Sequence, residues 1–112
     1  MTEPRSREAM LAEIEQLIAE NHVVLFLKGS SAQPRCGFSA AAAQVLARIG
    51  HPFAEKDALE EAEYRYVLAE RSGWPTLPQL FVNGELVGGC DVIHELFRTG
   101  ELQRRLDAAF SS

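Results

Sequence analysis

The chain has 112 residues, 46% of them hydrophobic and 24% charged, which is enough for one globular domain with a buried core. A net charge of −5 leaves no basic stripe to neutralise phosphates and argues against nucleic-acid binding. No apolar run reaches membrane-spanning length, the first residues lack the apolar segment of a leader, and two cysteines at 36 and 90 are no disulfide framework; a reducing, cytoplasmic setting is expected.

Residues 7–20 place Met10, Leu11, Ile14, Leu17 and Ile18 at helical spacing, which predicts a first helix with Ser6 as N-cap and Asn21 as stop. Val23-Val24-Leu25-Phe26-Leu27 is a short continuous apolar run and predicts a strand buried on both faces. Lys28-Gly29 ends it, and a polar loop with Pro34 leads to Cys36-Gly37-Phe38-Ser39. From there apolar residues at 38, 41, 42, 45, 46 and 49 mark the buried face of a second helix. Cys36 thus falls at a helix N-terminus, where free N–H groups and the positive end of the dipole favour a thiolate. A redox C-x-x-C pair needs its second cysteine at position 39, and the chain has Ser39 there.

Gly50-His51-Pro52 breaks the helix, and Phe53 to Asp57 predicts a second strand whose Glu55-Lys56-Asp57 suit a sheet edge. Ala58 to Arg71 reads as a third helix, closed by Ser72-Gly73. Trp74-Pro75-Thr76-Leu77-Pro78 is not helical, because each proline biases the residue before it toward extended geometry. Pro78, ahead of a strand, is a candidate cis proline that would turn the N–H and C=O of Leu77 outward. Leu80-Phe81-Val82, Asn83-Gly84 and Glu85-Leu86-Val87 spell a hairpin with a two-residue type I′ turn. After Gly88-Gly89, Asp91 is expected to cap a fourth helix carrying Val92, Ile93, Leu96 and Phe97. Gly100 separates it from a last helix on Leu102, Leu106 and Phe110. The order α-β-α-β-α-β-β-α-α predicts an α/β domain over 1–112, with its core at about 7–107 and a four-stranded mixed sheet flanked by helices. His22, His51 and His94 have no metal-ligand spacing with each other or with the cysteines.

Four blocks together resemble the monothiol, CGFS-type glutaredoxins. They are Phe26-Leu27-Lys28-Gly29, Pro34-Arg35-Cys36-Gly37-Phe38-Ser39, Trp74-Pro75-Thr76-Leu77-Pro78-Gln79-Leu80, and Val82-Asn83-Gly84-Glu85-Leu86-Val87-Gly88-Gly89-Cys90-Asp91. They stand in that family's order and spacing, within a likeness running from about Glu8 to Leu106. The resemblance implies the thioredoxin fold and glutathione binding. It implies that Lys28 holds the glycine carboxylate of glutathione, with Arg65 as a second cation. Thr76, Leu77 and Pro78 would meet the cysteinyl part, chiefly through the backbone of Leu77. Gly89, Cys90 and Asp91 would receive the γ-glutamyl end, where glycines admit a close approach and a helix N-terminus with Asp91 takes a carboxylate and an ammonium together.

Cys36 is implied both as catalytic thiol and as metal ligand. A [2Fe–2S] cluster wants four thiolates, so two chains and two glutathiones would form a homodimer bridged by the cluster. Such a site suits transfer to apo iron–sulfur proteins, and BolA-type proteins are common partners in the family. The alternative is a glutathione-dependent oxidoreductase of at most weak activity, in which Cys36 attacks a mixed disulfide and a second glutathione resolves it. Cys90 reads as a small residue whose backbone matters more than its sulfur. Two departures carry expectations of their own. Ser30-Ser31-Ala32-Gln33, in place of a proline-containing loop, is expected to loosen the lid over Cys36. Arg35 is expected to lower the thiol's pKa further.

Overall fold

β1 (Val23–Leu27) organises the molecule because it has no polar side: all five residues are buried, so both of its faces and both of its edges must be covered. The computed structural model describes residues 4–111; residues 1–3 and Ser112, included in the expected 1–112 domain, lie outside the described residues. β2 (Ala54–Asp57) runs parallel to β1 on one edge, and β3 (Gln79–Val82) antiparallel to it on the other. β4 (Glu85–Gly88) returns beside β3, giving the sheet order β2-β1-β3-β4. The charged β2 is therefore an edge strand, as its sequence predicts. Asn83 and Gly84 both have positive φ, as a type I′ hairpin turn requires.

Five helices cover the sheet: α1 (Arg7–Glu20), α2 (Gly37–Ile49), α3 (Tyr64–Ser72), α4 (Cys90–Thr99) and α5 (Glu101–Phe110). Alternation along β1 divides the core. Val23, Leu25 and Leu27 point to the layer of α2, α4 and α5, with Leu46, Ile93 and Leu102. Val24 and Phe26 point to α1 and α3, with Ile14, Tyr64 and Leu68. This is the thioredoxin fold that the resemblance implied.

Three local readings need correction. The third helix begins at Tyr64 and not at Ala58, because the chain leaving β2 is still tied to the sheet: the Ala58 N–H donates to the Leu27 carbonyl at 2.9 Å and Ala58 is fully buried. Ala58 to Glu63 then form turns, and α3 starts only when they end. In the fourth helix Gly89 is the N-cap residue and Asp91 lies in the first turn, where it makes no capping bond. In α2 the apolar spacing put Phe38 on the buried face, yet Phe38 is 65% exposed and Ser39 is the residue fully buried in that turn. The polar side chain wins the inside place because it is satisfied there by hydrogen bonds.

Candidate functional site

Cys36 is the N-cap residue of α2, with extended backbone, and its sulfur accepts the Ser39 N–H at 3.3 Å. The Ser39 hydroxyl stands 3.2 Å from the same sulfur and also accepts the Lys28 N–H at 3.0 Å. That second bond occupies an oxygen lone pair and leaves the hydroxyl proton free for a thiolate. Partial burial pushes the Cys36 thiol up, but the Ser39 hydroxyl, the Ser39 and Phe38 amides and the Lys28 charge outweigh it, so its pKa is lowered. Arg35, expected to help, is exposed and is not among the groups that lower it. The cation that acts is Lys28.

The loop ahead of the thiol is not slack. Gly29 and Pro34 form a backbone bridge, the Ser30 N–H donates to the Gln33 carbonyl at 3.2 Å, and the Gln33 N–H returns to Ser30 Oγ at 3.0 Å. The Ser31 N–H reaches Glu55 Oε1 on β2 at 3.0 Å. Ser30 thus caps its own turn with its hydroxyl, and the Ser31 amide ties the loop to β2, against the expected loosening.

A cleft of about 810 Å³ opens beside the first turn of α2; Phe38 of that turn lines it, and Cys36 itself is not among the lining residues. Seven of the residues singled out from the sequence line it together: Lys28, Arg65, Thr76, Leu77, Gly89, Cys90 and Asp91. They come from the end of β1, from α3, from the segment before β3 and from the start of α4, so only the fold unites them. Pro78 is buried behind the cleft wall, and the Leu77–Pro78 peptide is cis. Neither backbone group of Leu77 has a partner among the described residues. Lys28 likewise makes no ion pair among them. Arg65 is engaged with its neighbour, donating to the Tyr66 hydroxyl at 2.9 Å with its guanidinium 4.9 Å from that ring.

Cys90, half-buried at the start of α4, behaves oppositely to Cys36. Burial pushes its thiol up first, and the negative charges of Asp91 and of a Cys36 thiolate add to that. A negative charge on Cys36 thus disfavours one on Cys90, a coupling no sequence motif announced. Sequence reasoning also missed the framework of the cleft. Gln79 is 1% exposed, and its Nε2 donates to the Trp74 carbonyl at 2.8 Å and to the Thr76 carbonyl at 3.1 Å, shaping the segment that carries Leu77. A Cβ at Gly89 would lie 3.0 Å from Trp74 Nε1 and 3.3 Å from the Pro78 carbonyl oxygen, so any side chain there requires the indole to give by a few tenths of an ångström. The signal for Gln79 was a polar residue inside an apolar strand pattern.

The Glutaredoxin family profile matches residues 23–87. An uncharacterized monothiol glutaredoxin ycf64-like protein of Synechocystis sp. is 48% identical over 101 residues, covering 90% of this chain and 94% of its own. The solution structure of reduced poplar apo GrxS14 superposes with a TM-score of 0.79 at 40% identity, covering 90% of this chain and 93% of the other. A buckwheat glutaredoxin–glutathione complex shares the fold, with a TM-score of 0.80 at 24% identity over 92% of each chain. With a profile running from β1 into β4, a relative near half identity over most of both chains, and Ser39 where a second active-site cysteine would stand, the chain belongs to the glutaredoxin family, in its monothiol branch.

Proposed function

We propose that this chain binds glutathione and, with it, assembles a [2Fe–2S] cluster between two copies for delivery to apo iron–sulfur proteins, in a reducing compartment such as the cytoplasm. One observation carries the reading: of two cysteines, only Cys36 has a lowered pKa, and its neighbour at the resolving position is a buried serine bonded to it.

Glutathione suits the cleft by its chemistry. The Lys28 ammonium is free for the glycine carboxylate, the Leu77 N–H and C=O are free for the cysteinyl peptide unit, and the α4 N-terminus with Asp91 suits the γ-glutamyl carboxylate and ammonium. The buckwheat glutaredoxin was itself solved with glutathione. Thr76, Pro78, Gly89 and Cys90 shape this site through their backbones, and Arg65 becomes a second cation on leaving Tyr66.

The cluster is cargo, and the donor set fits it in a particular way. Four thiolates are needed. Each chain supplies Cys36, while Cys90 is held as a thiol by burial and by Asp91. Two glutathiones complete the set, so the homodimer is held largely by its ligands and comes apart easily. A BolA-type protein is a further partner under this reading.

The test is reconstitution of the full chain with iron, sulfide and glutathione without oxygen, followed by visible absorption and iron and sulfide analysis. The native chain is expected to take up the cluster, Cys36→Ser to remain empty, and Cys90→Ser to retain most of it. A folded Cys90→Ser protein without cluster contradicts the ligand assignment, and an empty native protein contradicts the reading. A second reading, monothiol reduction of glutathione mixed disulfides, is favoured by the partial exposure and lowered pKa of Cys36. Its turnover is slow, because no thiol at position 39 resolves the intermediate within the molecule.

A further inference from the structure

The turn that delivers Lys28 into the cleft is clamped by groups outside the cleft. The Lys28 amide donates to Ser39 Oγ at 3.0 Å and its carbonyl accepts the Arg35 N–H at 2.8 Å. The next peptide unit is held by a different element: the Gly29 N–H donates to Asp57 Oδ1 at 3.0 Å, and the same oxygen accepts the Leu59 N–H at 2.9 Å. Asp57 is the last residue of β2 and stands in register with Leu27, so its carboxylate ties together the ends of two parallel strands. Gly29 itself has a φ of +88°, and a Cβ there would lie 2.4 Å from the Gln33 carbonyl oxygen. The backbone at 28–29 has one place to be, and Asp57 supplies the only side-chain acceptor for the Gly29 amide among the described residues.

We propose that Asp57 is a positioning residue for glutathione binding: by holding the Gly29 amide, its carboxylate fixes the backbone from which the Lys28 side chain enters the cleft. The proposal rests on the reading of Lys28 as the cation for the glutathione carboxylate. Asp57 does not line the cleft, so it acts through Lys28 and not on the ligand. Lysine is a point charge on a flexible stem. Its ordering cost on binding falls when the main chain beneath it is already fixed. Without the carboxylate, the Gly29 N–H becomes a buried donor lacking a partner, and the turn moves to satisfy it. A strand-end aspartate that merely stabilised the fold would have no such link to Lys28.

The test is an NMR titration of the full chain with glutathione, using the native protein, Asp57→Ala, Asp57→Asn, Lys28→Met and the Asp57→Ala/Lys28→Met pair. Asp57→Ala is expected to bind about tenfold more weakly, the scale on which removing an orienting partner weakens a ligand-binding group. Asp57→Asn keeps the Oδ1 acceptor and is expected to recover most of the affinity. In the Lys28→Met background, Asp57→Ala is expected to cost nothing further. The Gly29 amide loses hydrogen-exchange protection in Asp57→Ala and keeps it in Asp57→Asn. A folded Asp57→Ala protein of native affinity, or losses that add in the double variant, overturns the proposal while leaving Lys28 as the cation. Native affinity in Lys28→Met overturns the reading of Lys28, and the proposal with it. If Asp57→Ala does not fold, Asp57→Glu decides: it keeps the charge but displaces the acceptor, and native affinity with an unprotected Gly29 amide overturns the proposal.

Discussion

The side chain of Ser39 sets the protonation chemistry of the site although no sequence rule marks it as chemical. It is fully buried, accepts the Lys28 amide, donates its own amide to Cys36 Sγ, and has its hydroxyl 3.2 Å from that sulfur, where it can donate once the thiol ionises. Each bond to sulfur favours the thiolate, so removing the hydroxyl must raise the Cys36 pKa. In the apo protein, the alkylation rate of Cys36 as a function of pH is expected to reach its midpoint below that of an unperturbed thiol, and that of Cys90 above it. The directions follow from the lowered and raised pKa values of the two thiols. Ser39→Ala is expected to move the Cys36 midpoint upward and leave Cys90 close to its native value. Iodoacetamide kinetics with mass-spectrometric assignment of each cysteine give both curves. Coincident curves in the native chain contradict the division of labour between the thiols.

Between elements, the N-terminal helix is fastened by charge as well as by the core. Glu13 on α1 accepts the Tyr64 hydroxyl of α3 at 2.7 Å and pairs with Lys56 of β2 at 3.2 Å and with Arg5 at 3.0 Å. Partial burial pushes the Glu13 carboxyl up, but Arg5, Tyr64 and Lys56 outweigh it and hold it below the usual range. A lowered folded pKa adds stability above the unfolded carboxylate value and loses it as pH falls through the folded one. Tyr64→Phe is therefore expected to cost about 1.5–3 kcal/mol at pH 7, the worth of a hydrogen bond to a charged group. The deficit shrinks as the pH falls through the folded Glu13 pKa, once the carboxyl is protonated in both proteins. Urea midpoints followed from pH 7 downward measure it, and a deficit that stays constant as the carboxyl titrates removes the charge from the explanation. Periodicity and turn chemistry made the element order legible, together with the buried β1 and the edge β2. They failed where a tertiary bond overrode a local preference: Ala58 held to Leu27 delays α3, and Ser39 held by Lys28 and Cys36 displaces Phe38. Of the cleft residues singled out from the sequence, Lys28, Thr76, Leu77, Gly89, Cys90 and Asp91 stand in the motif blocks, and Arg65 does not. The supports that orient them, Gln79 and Asp57, were not legible, since a polar residue in a strand has no meaning until its partners are known.

At the scale of the molecule, the two large hydrophobic side chains left exposed among the described residues, Phe38 at 65% and Tyr66 at 55%, both line the cleft beside the first turn of α2. The surface most in need of cover is thus the surface where glutathione and cluster would lie. Two bare copies have little reason to meet there. Each chain carries a net charge of −5, and the Cys36 thiolates of two copies would face each other unpaired. On the proposed reading, loading would change that balance, because the iron atoms would bind a Cys36 from each copy and neutralise thiolate charge at the contact. The apo chain is therefore expected to run as a monomer, with or without glutathione, and the cluster-loaded chain as a dimer that returns to monomer when the iron is chelated. Size-exclusion chromatography with absorbance recorded across the visible band follows both changes at once. Cys36→Ser is expected to stay monomeric under loading conditions, since it removes the one thiolate each chain contributes. A stable apo dimer would mean that protein surface and not cargo holds the copies together, and a cluster travelling with the monomer would mean that one chain supplies more ligands than Cys36.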